Sequence, residues 1–124
     1  MTQITPAELI EAWQKSGEPL HYRAGEAIFQ AGEQGTTLYG ILEGTVDLQR
    51  DGQTVETLTA GDAFGEGAIV QPDHQRFTTA IARTDCKLVS LSRDRFLFAL
   101  QNSPIFALDI IRSLSDRLRK LKGT

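Results

Sequence analysis

The sequence predicts a mainly β domain, a sandwich or barrel of many short strands with helices at both ends. Three observations carry that prediction. Nine of the 11 glycines fall between positions 25 and 67, with short apolar runs between them, the cadence of strands punctuated by turns. Asp51-Gly52 stands between Val46-Asp47-Leu48 and Val55-Glu56-Thr57-Leu58, the strongest two-residue hairpin signal in the chain. Before residue 17 and after residue 92 the apolar spacing changes to that of helices.

Taken in order, Thr5-Pro6-Ala7-Glu8 opens a helix over 5–16. Thr5 is a capping residue, Pro6 fits the first turn and Glu8 can close a capping box. Leu9, Ile10 and Trp13 share one face, and Gly17 is the expected stop. A β region over 19–92 follows. His21-Tyr22-Arg23, Ala27-Ile28-Phe29, Leu38 to Leu42, Val46 to Leu48, Val55 to Leu58, Phe77 to Ala82 and Lys87 to Leu91 read as strands. The last segment, 93–122, is helical. Ser92 can cap Arg93 to Gln101, and Ser103-Pro104 is a cap followed by proline. Beyond it Ala107, Ile111, Leu114, Leu118 and Leu121 are spaced 4, 3, 4, 3, an a/d seam. That seam suits either the chain's own barrel or a partner helix, and a parallel homodimer through 103–122 is the favoured expectation.

At 124 residues, 40% hydrophobic and 23% charged, with mean hydropathy -0.22, the chain reads as one globular domain over 1–124. The net charge of -3 argues against binding nucleic acid by bulk charge. The average is uneven: Arg112 to Lys122 holds five basic residues against Asp116, or +4, and the remaining 8 basic and 15 acidic residues give -7. Cations in a last helical turn are expected; an anion or partner site is the sharper alternative. Cys86 is the only cysteine, so no internal disulfide or cysteine-rich cluster is expected. The apolar runs are too short to span a membrane. Met1 to Pro6 lacks a leader pattern, and a cytoplasmic setting is expected. His21 and His74 are far apart, and His74 reads as a solvated loop histidine. Neither a Ser-His-Asp nor a Cys-His spacing is present, so enzymatic activity is not expected.

The chemistry concentrates at 61–82. Gly65 and Gly67 free the backbone for close approach to a ligand. A short helical turn from Glu66 to Val70 would aim unpaired N–H groups outward. Glu66 adds a carboxylate acceptor suited to sugar hydroxyls. Arg76, ten residues on, offers a planar fork that matches a phosphate. Acceptor, cation and N–H nest together describe a pocket for a cyclic ribose phosphate. Singly, Glu66 and Arg76 also fit a salt bridge, and the glycines fit turns.

Phe64-Gly65-Glu66, then Ala68-Ile69-Val70, and Arg76 before a Thr-rich strand resemble the phosphate-binding cassette of cyclic-nucleotide-binding domains, the catabolite-activator, protein-kinase-A and gated-channel superfamily. Tyr22 to Glu33 and Leu38 to Val46 resemble that family's first strands and central hairpin, and Ser103 to Lys122 its long dimer helix. The resemblance implies an eight-stranded jelly roll with flanking helices. It implies a ligand site at Phe64, Gly65, Glu66, Gly67, Ala68, Arg76, Phe77 and Thr78. Glu66 would take the ribose 2′-hydroxyl and Arg76 the phosphate oxygens, with N–H groups near Gly65 and Phe77. Cyclic AMP, or else cyclic GMP, would be the regulatory ligand, with no other cofactor required. The bacterial relatives continue into a helix-turn-helix; this chain ends at Thr124, so output through an unknown effector protein, without direct DNA contact, is expected. Three positions depart from the family. Gly67 replaces a leucine inside the short helix, Phe77 replaces a small residue beside the phosphate, and Leu121-Lys122 stand where Thr and Ser meet the base. They motivate the alternative of a degenerate pocket in a dimeric interaction module.

Overall fold

The computed structural model describes residues 4–14 and 17–123. In chain order these form α1 (Pro6–Trp13), β1 (Leu20–Tyr22), β2 (Ala27–Phe29), β3 (Thr37–Glu43), β4 (Thr45–Arg50), β5 (Gln53–Thr59) and β6 (Ala63–Phe64). Then come α2 (Gly67–Val70), β7 (Thr79–Ala82), β8 (Cys86–Ser92), α3 (Arg93–Asn102) and α4 (Pro104–Leu121). The strands make two antiparallel four-stranded sheets, ordered β1-β8-β3-β6 and β2-β7-β4-β5. This is a jelly roll with helices at either end of the chain, the expected class.

The turn chemistry works as read. Asp51 and Gly52 both have positive φ, 53° and 79°, the backbone that a two-residue hairpin matched to strand twist requires. β4 and β5 pair across it from Thr45↔Thr59 to Arg50↔Gln53, with a bulge at Leu48/Gln49. β6 was not expected. Its two residues are too short to show alternation, and it exists because Tyr39↔Phe64 and Gly40↔Ala63 pair with β3. The first strand sits one residue earlier than read, and β7 starts at Thr79 rather than Phe77.

The β1-β8-β3-β6 sheet is covered on both faces. Along β3 and β8 successive side chains alternate between them. Ile41 and Leu88 point into the roll with Phe29, Val46, Leu58 and Phe64. Leu38, Val89 and Leu91 point outward, against Ile10, Phe96 and Phe106 of the helices. Gly40 lets α1 settle, since a Cβ there would lie 2.7 Å from Ala7 Cα.

Thr5 and Glu8 form both halves of the capping box, with Glu8 N–H donating to Thr5 Oγ1 (3.1 Å) and Thr5 N–H to Glu8 Oε1 (2.9 Å). The helix ends at Trp13 rather than running on toward Gly17, with Gln14 already extended. Tertiary contacts decide this. The Trp13 carbonyl accepts from Arg95 Nε at 3.2 Å, and its ring packs edge-on to Phe98 and Phe106 at centroid distances of 6.2 and 6.0 Å. Residues 15 and 16 of the expected span, and 1–3 of the segment read for a leader, lie outside the described residues.

Ser92 and Ser103 cap α3 and α4 through the N–H groups of Arg95 (3.2 Å) and Phe106 (3.1 Å). The 18 residues of α4 span about 27 Å. The expected seam is split. Leu114 packs against the helical core beside buried Phe106 and Ile110, whereas Ile111 and Leu118 are 60% and 51% exposed. The inward stripe runs through Phe106, Ile110 and Leu114, and Ile111 and Leu118 lie to one side of it, since each residue turns about 100° from the last.

Candidate functional site

A cleft of about 290 Å³ opens between β5, the α2 turn, the segment before β7 and the end of α4. Arg76 approaches it from below. Its backbone is anchored to the preceding turn, with Arg76 N–H donating to Glu33 O and Gly32 N–H to Arg76 O, both at 2.8 Å. The side chain is only 5% exposed. Nη1 donates to Gly65 O and Nη2 to Thr37 O, each at 2.8 Å. The guanidinium stacks 4.1 Å from the Phe29 ring centroid, a favourable cation–π geometry. Burial pulls its pKa below the ordinary arginine value, against opposing effects of Tyr39, Glu33 and Glu66. Gly35 makes room for it: a Cβ there would strike Arg76 Nε. Gly65 is required on two counts, a φ of +89° and Arg76 Nη1 only 3.0 Å from where a Cβ would stand.

Glu66 lies across the cleft at the N-cap of α2. Its Oε2 accepts from Gly67 N–H at 3.1 Å, and Oε1 accepts from Arg117 Nη1 at 2.8 Å. The salt bridge weighed from sequence therefore joins Glu66 to Arg117, not to Arg76. Arg117 also forks onto Glu56, with Nε to Oε2 and Nη2 to Oε1 both at 2.8 Å, and donates to Ala63 O at 3.0 Å. The three side chains are 15%, 13% and 21% exposed for Arg117, Glu56 and Glu66, so water screens them little. Burial pulls the Arg117 pKa down, but the hydrogen bonds and charges of Glu56 and Glu66 outweigh it and hold the guanidinium above its ordinary value.

Sequence reading missed both Arg117 and Glu56. The missing signal is phase. Arg117 lies seven residues after Ile110 and three after Leu114, on the inward face of α4. Glu56 shares its strand face with buried Leu58.

Of the expected ligand residues, Gly65, Glu66, Gly67, Ala68, Arg76, Phe77 and Thr78 line the cleft. Phe64 does not. It is fully buried and stacks on Tyr39 at 5.4 Å, so its side chain belongs to the roll's core. Gly67 is the first residue of α2 rather than an interior one, which removes most of the helix cost expected of it. Phe77 and Thr78 precede the strand. Phe77 is 70% exposed, on the rim of the cleft, with the Arg50 guanidinium 4.1 Å from its ring centroid. Arg50 Nη1 also takes the Phe77 carbonyl, at 2.6 Å. His74 is not a solvated histidine: its Nδ1 lies 2.7 Å from Ala68 O, tying the loop to α2.

A family model for the cyclic nucleotide-binding domain matches residues 19–103, which contain both sheets, α2 and α3. The chain belongs to the cyclic nucleotide-binding domain family. Among its curated relatives is the CRP-like cAMP-activated global transcriptional regulator of Mycobacterium tuberculosis, 31% identical over 116 residues, 90% of this chain and 51% of that protein. The catabolite activator protein of Thermus thermophilus superposes with a TM-score of 0.74 at 28% identity, covering 94% of this chain and 55% of that one. A chain solved in work on a cyclic-GMP-dependent pathway of bacterial phytopathogenesis also scores 0.74 at 25% identity, covering 90% and 89%. The chain spans about half the length or less of the curated relatives it matches. Arg117 connects the Arg76–Glu66 cleft to α4.

Proposed function

We propose that this chain is a regulatory module that binds a 3′,5′-cyclic nucleotide in the Arg76–Glu66 cleft and passes the event to α4. The observation that carries the proposal is Arg117: one side chain on α4 holds the carboxylate proposed for the ribose 2′-hydroxyl. A ribose hydroxyl at Glu66 Oε1 competes with or reinforces that contact, so ligand and helix position are coupled through differential affinity for two states. Arg76 supplies the phosphate contact, and Ala68, in the first turn of α2, has no intrahelical acceptor for its N–H. The relatives named for cyclic AMP and cyclic GMP support a purine nucleotide. Output runs to an unknown effector protein. Among the described residues no helix is long and apolar enough to cross a membrane.

Isothermal titration with cyclic AMP and cyclic GMP tests the reading. Binding at micromolar to millimolar strength is expected, lost on Arg76→Ala and weakened at least tenfold on Glu66→Ala. Binding indifferent to both substitutions would sink the assignment.

A second reading has its own support. Arg76 and Glu66 already have protein partners, as in a pocket that no longer takes a ligand, and Ile111 and Leu118 expose an apolar face on α4. In this reading the chain is a dimeric interaction module. A ligand at a hundredfold over its dissociation constant adds about 2.7 kcal/mol. A thermal melt unmoved by millimolar cyclic nucleotide, beside a dimer in light scattering, selects the second reading.

A further inference from the structure

We propose that His74 is a positioning residue for the cleft: one imidazole hydrogen bond fixes the α2 turn against the segment that carries Arg76. This rests on the ligand reading above. Gly65 to Ala68 and Arg76 to Thr78 line the cleft, and His74 does not, so its action is through the backbone. The α2 turn is one short ladder. Ile69 and Val70 N–H donate to Glu66 O at 3.0 and 3.2 Å, and Gln71 N–H to Gly67 O at 2.9 Å. The next rung would run from the N–H of residue 72 to Ala68 O. Residue 72 is proline and has no N–H to give. A side chain takes the rung instead: His74 Nδ1 lies 2.7 Å from Ala68 O. A carbonyl oxygen only accepts, so the hydrogen must be on Nδ1.

The rest of His74 is pinned to the Arg76 side. Its N–H donates to Gln71 O at 3.1 Å, and its carbonyl accepts from Gly35 N–H at 2.8 Å. Gly35 is the residue whose missing side chain gives the Arg76 guanidinium its slot. Arg76 Nη1 already ties its own segment to Gly65 O, just before α2. His74 makes a second tie within α2, at Ala68. One bond leaves a pivot, whereas two fix the orientation of the turn. A single helical turn does not hold its shape unaided, so the second tie decides how far Gly67 and Ala68 stand from Arg76. His74 also has a φ of +53°, a backbone that Asn and Gly accept readily.

That tolerance supplies the test. Asn keeps the φ and carries an amide N–H where Nδ1 stands; Gly keeps the φ and has no donor. Calorimetry with cyclic AMP and cyclic GMP, and stopped-flow release of a fluorescent cyclic AMP, compare H74N and H74G with the unmodified chain, well below each melting transition. H74G is expected to bind about tenfold more weakly, with faster release and unchanged association, and H74N to stay within about threefold of the parent. A merely structural role lowers the melting transition and leaves affinity and release unmoved at that temperature. H74G that binds and releases like the parent overturns the proposal, and so does H74N as weak as H74G. One measurement needs neither variant nor ligand: in alkaline buffer, where a free imidazole is neutral, nitrogen–proton correlation NMR is expected to place the His74 hydrogen on Nδ1. A hydrogen on Nε2 overturns the proposal and leaves the ligand reading standing. Absence of binding of both nucleotides to the unmodified chain at millimolar concentration overturns the ligand reading and this inference together.

Discussion

Arg76, proposed as the phosphate contact, is held on every side by the protein itself. Two carbonyls and the Phe29 ring fix its guanidinium, and Gly35 provides the space. Gly35→Ala must push the side chain out of that slot. It is expected to cost about 1–3 kcal/mol, the range for overpacking, in urea denaturation, and to weaken cyclic nucleotide binding in parallel. A melt unchanged from the parent would show that the slot yields freely. Legibility at this scale was uneven. That Gly65, Glu66 and Arg76 line one cleft was readable because they lie within 12 residues of one another. Glu56 and Arg117 were not, because they come from a strand and a helix 61 residues apart that meet only through the tertiary fold. Phe64 was read as a ligand residue because it adjoins Gly65, yet strand alternation sends its ring into the core.

At the scale of elements, the C-terminal half of α4 is joined to β5, β6 and Glu66 through the Arg117 guanidinium. Removing it leaves Glu56 and Glu66 without the guanidinium that both bind. Arg117→Met keeps most of the volume and is expected to destabilise the chain by about 2 kcal/mol, below the roughly 3–5 of a fully buried pair because all three side chains keep some exposure. Amide hydrogen exchange locates the effect: faster exchange in the last two turns of α4, with β3 and β8 unchanged. Equal acceleration in the β core would mean that the contact supports the whole fold rather than the helix. Both C-terminal helices were readable from serine caps and a proline, which are local signals. The split of the α4 seam was not, because which side of the stripe turns inward depends on what the helix packs against.

For the molecule as a whole, the two unequal faces of α4 bear on assembly. Ile111 and Leu118 are exposed beside half-buried Leu114, and the homodimer proposed through 103–122 covers them. Leu118→Glu is expected to convert a dimer to a monomer in analytical ultracentrifugation without moving the thermal transition of the roll; a parent chain already monomeric at tens of micromolar removes the proposal. The mainly β architecture was legible because glycine cadence, hairpin chemistry and capping serines all point one way. Which strands neighbour which was not legible from residue periods alone. The order β1-β8-β3-β6 sets β8 between β1 and β3, both more than 40 residues before it, and residue alternation carries no information over that distance.

Trp13 turns this arrangement into an optical instrument. It is the chain's one tryptophan, lodged where α1 meets Phe98 of α3 and Phe106 of α4. Indole emission follows the polarity and packing around the ring, so any sliding of α4 over α1 changes the colour or yield of unlabelled protein. The β roll carries no such fluorophore and stays silent. Ligand occupancy in the cleft and displacement of the helices can thus be followed in one cuvette, one by added nucleotide and the other by the light the protein itself emits.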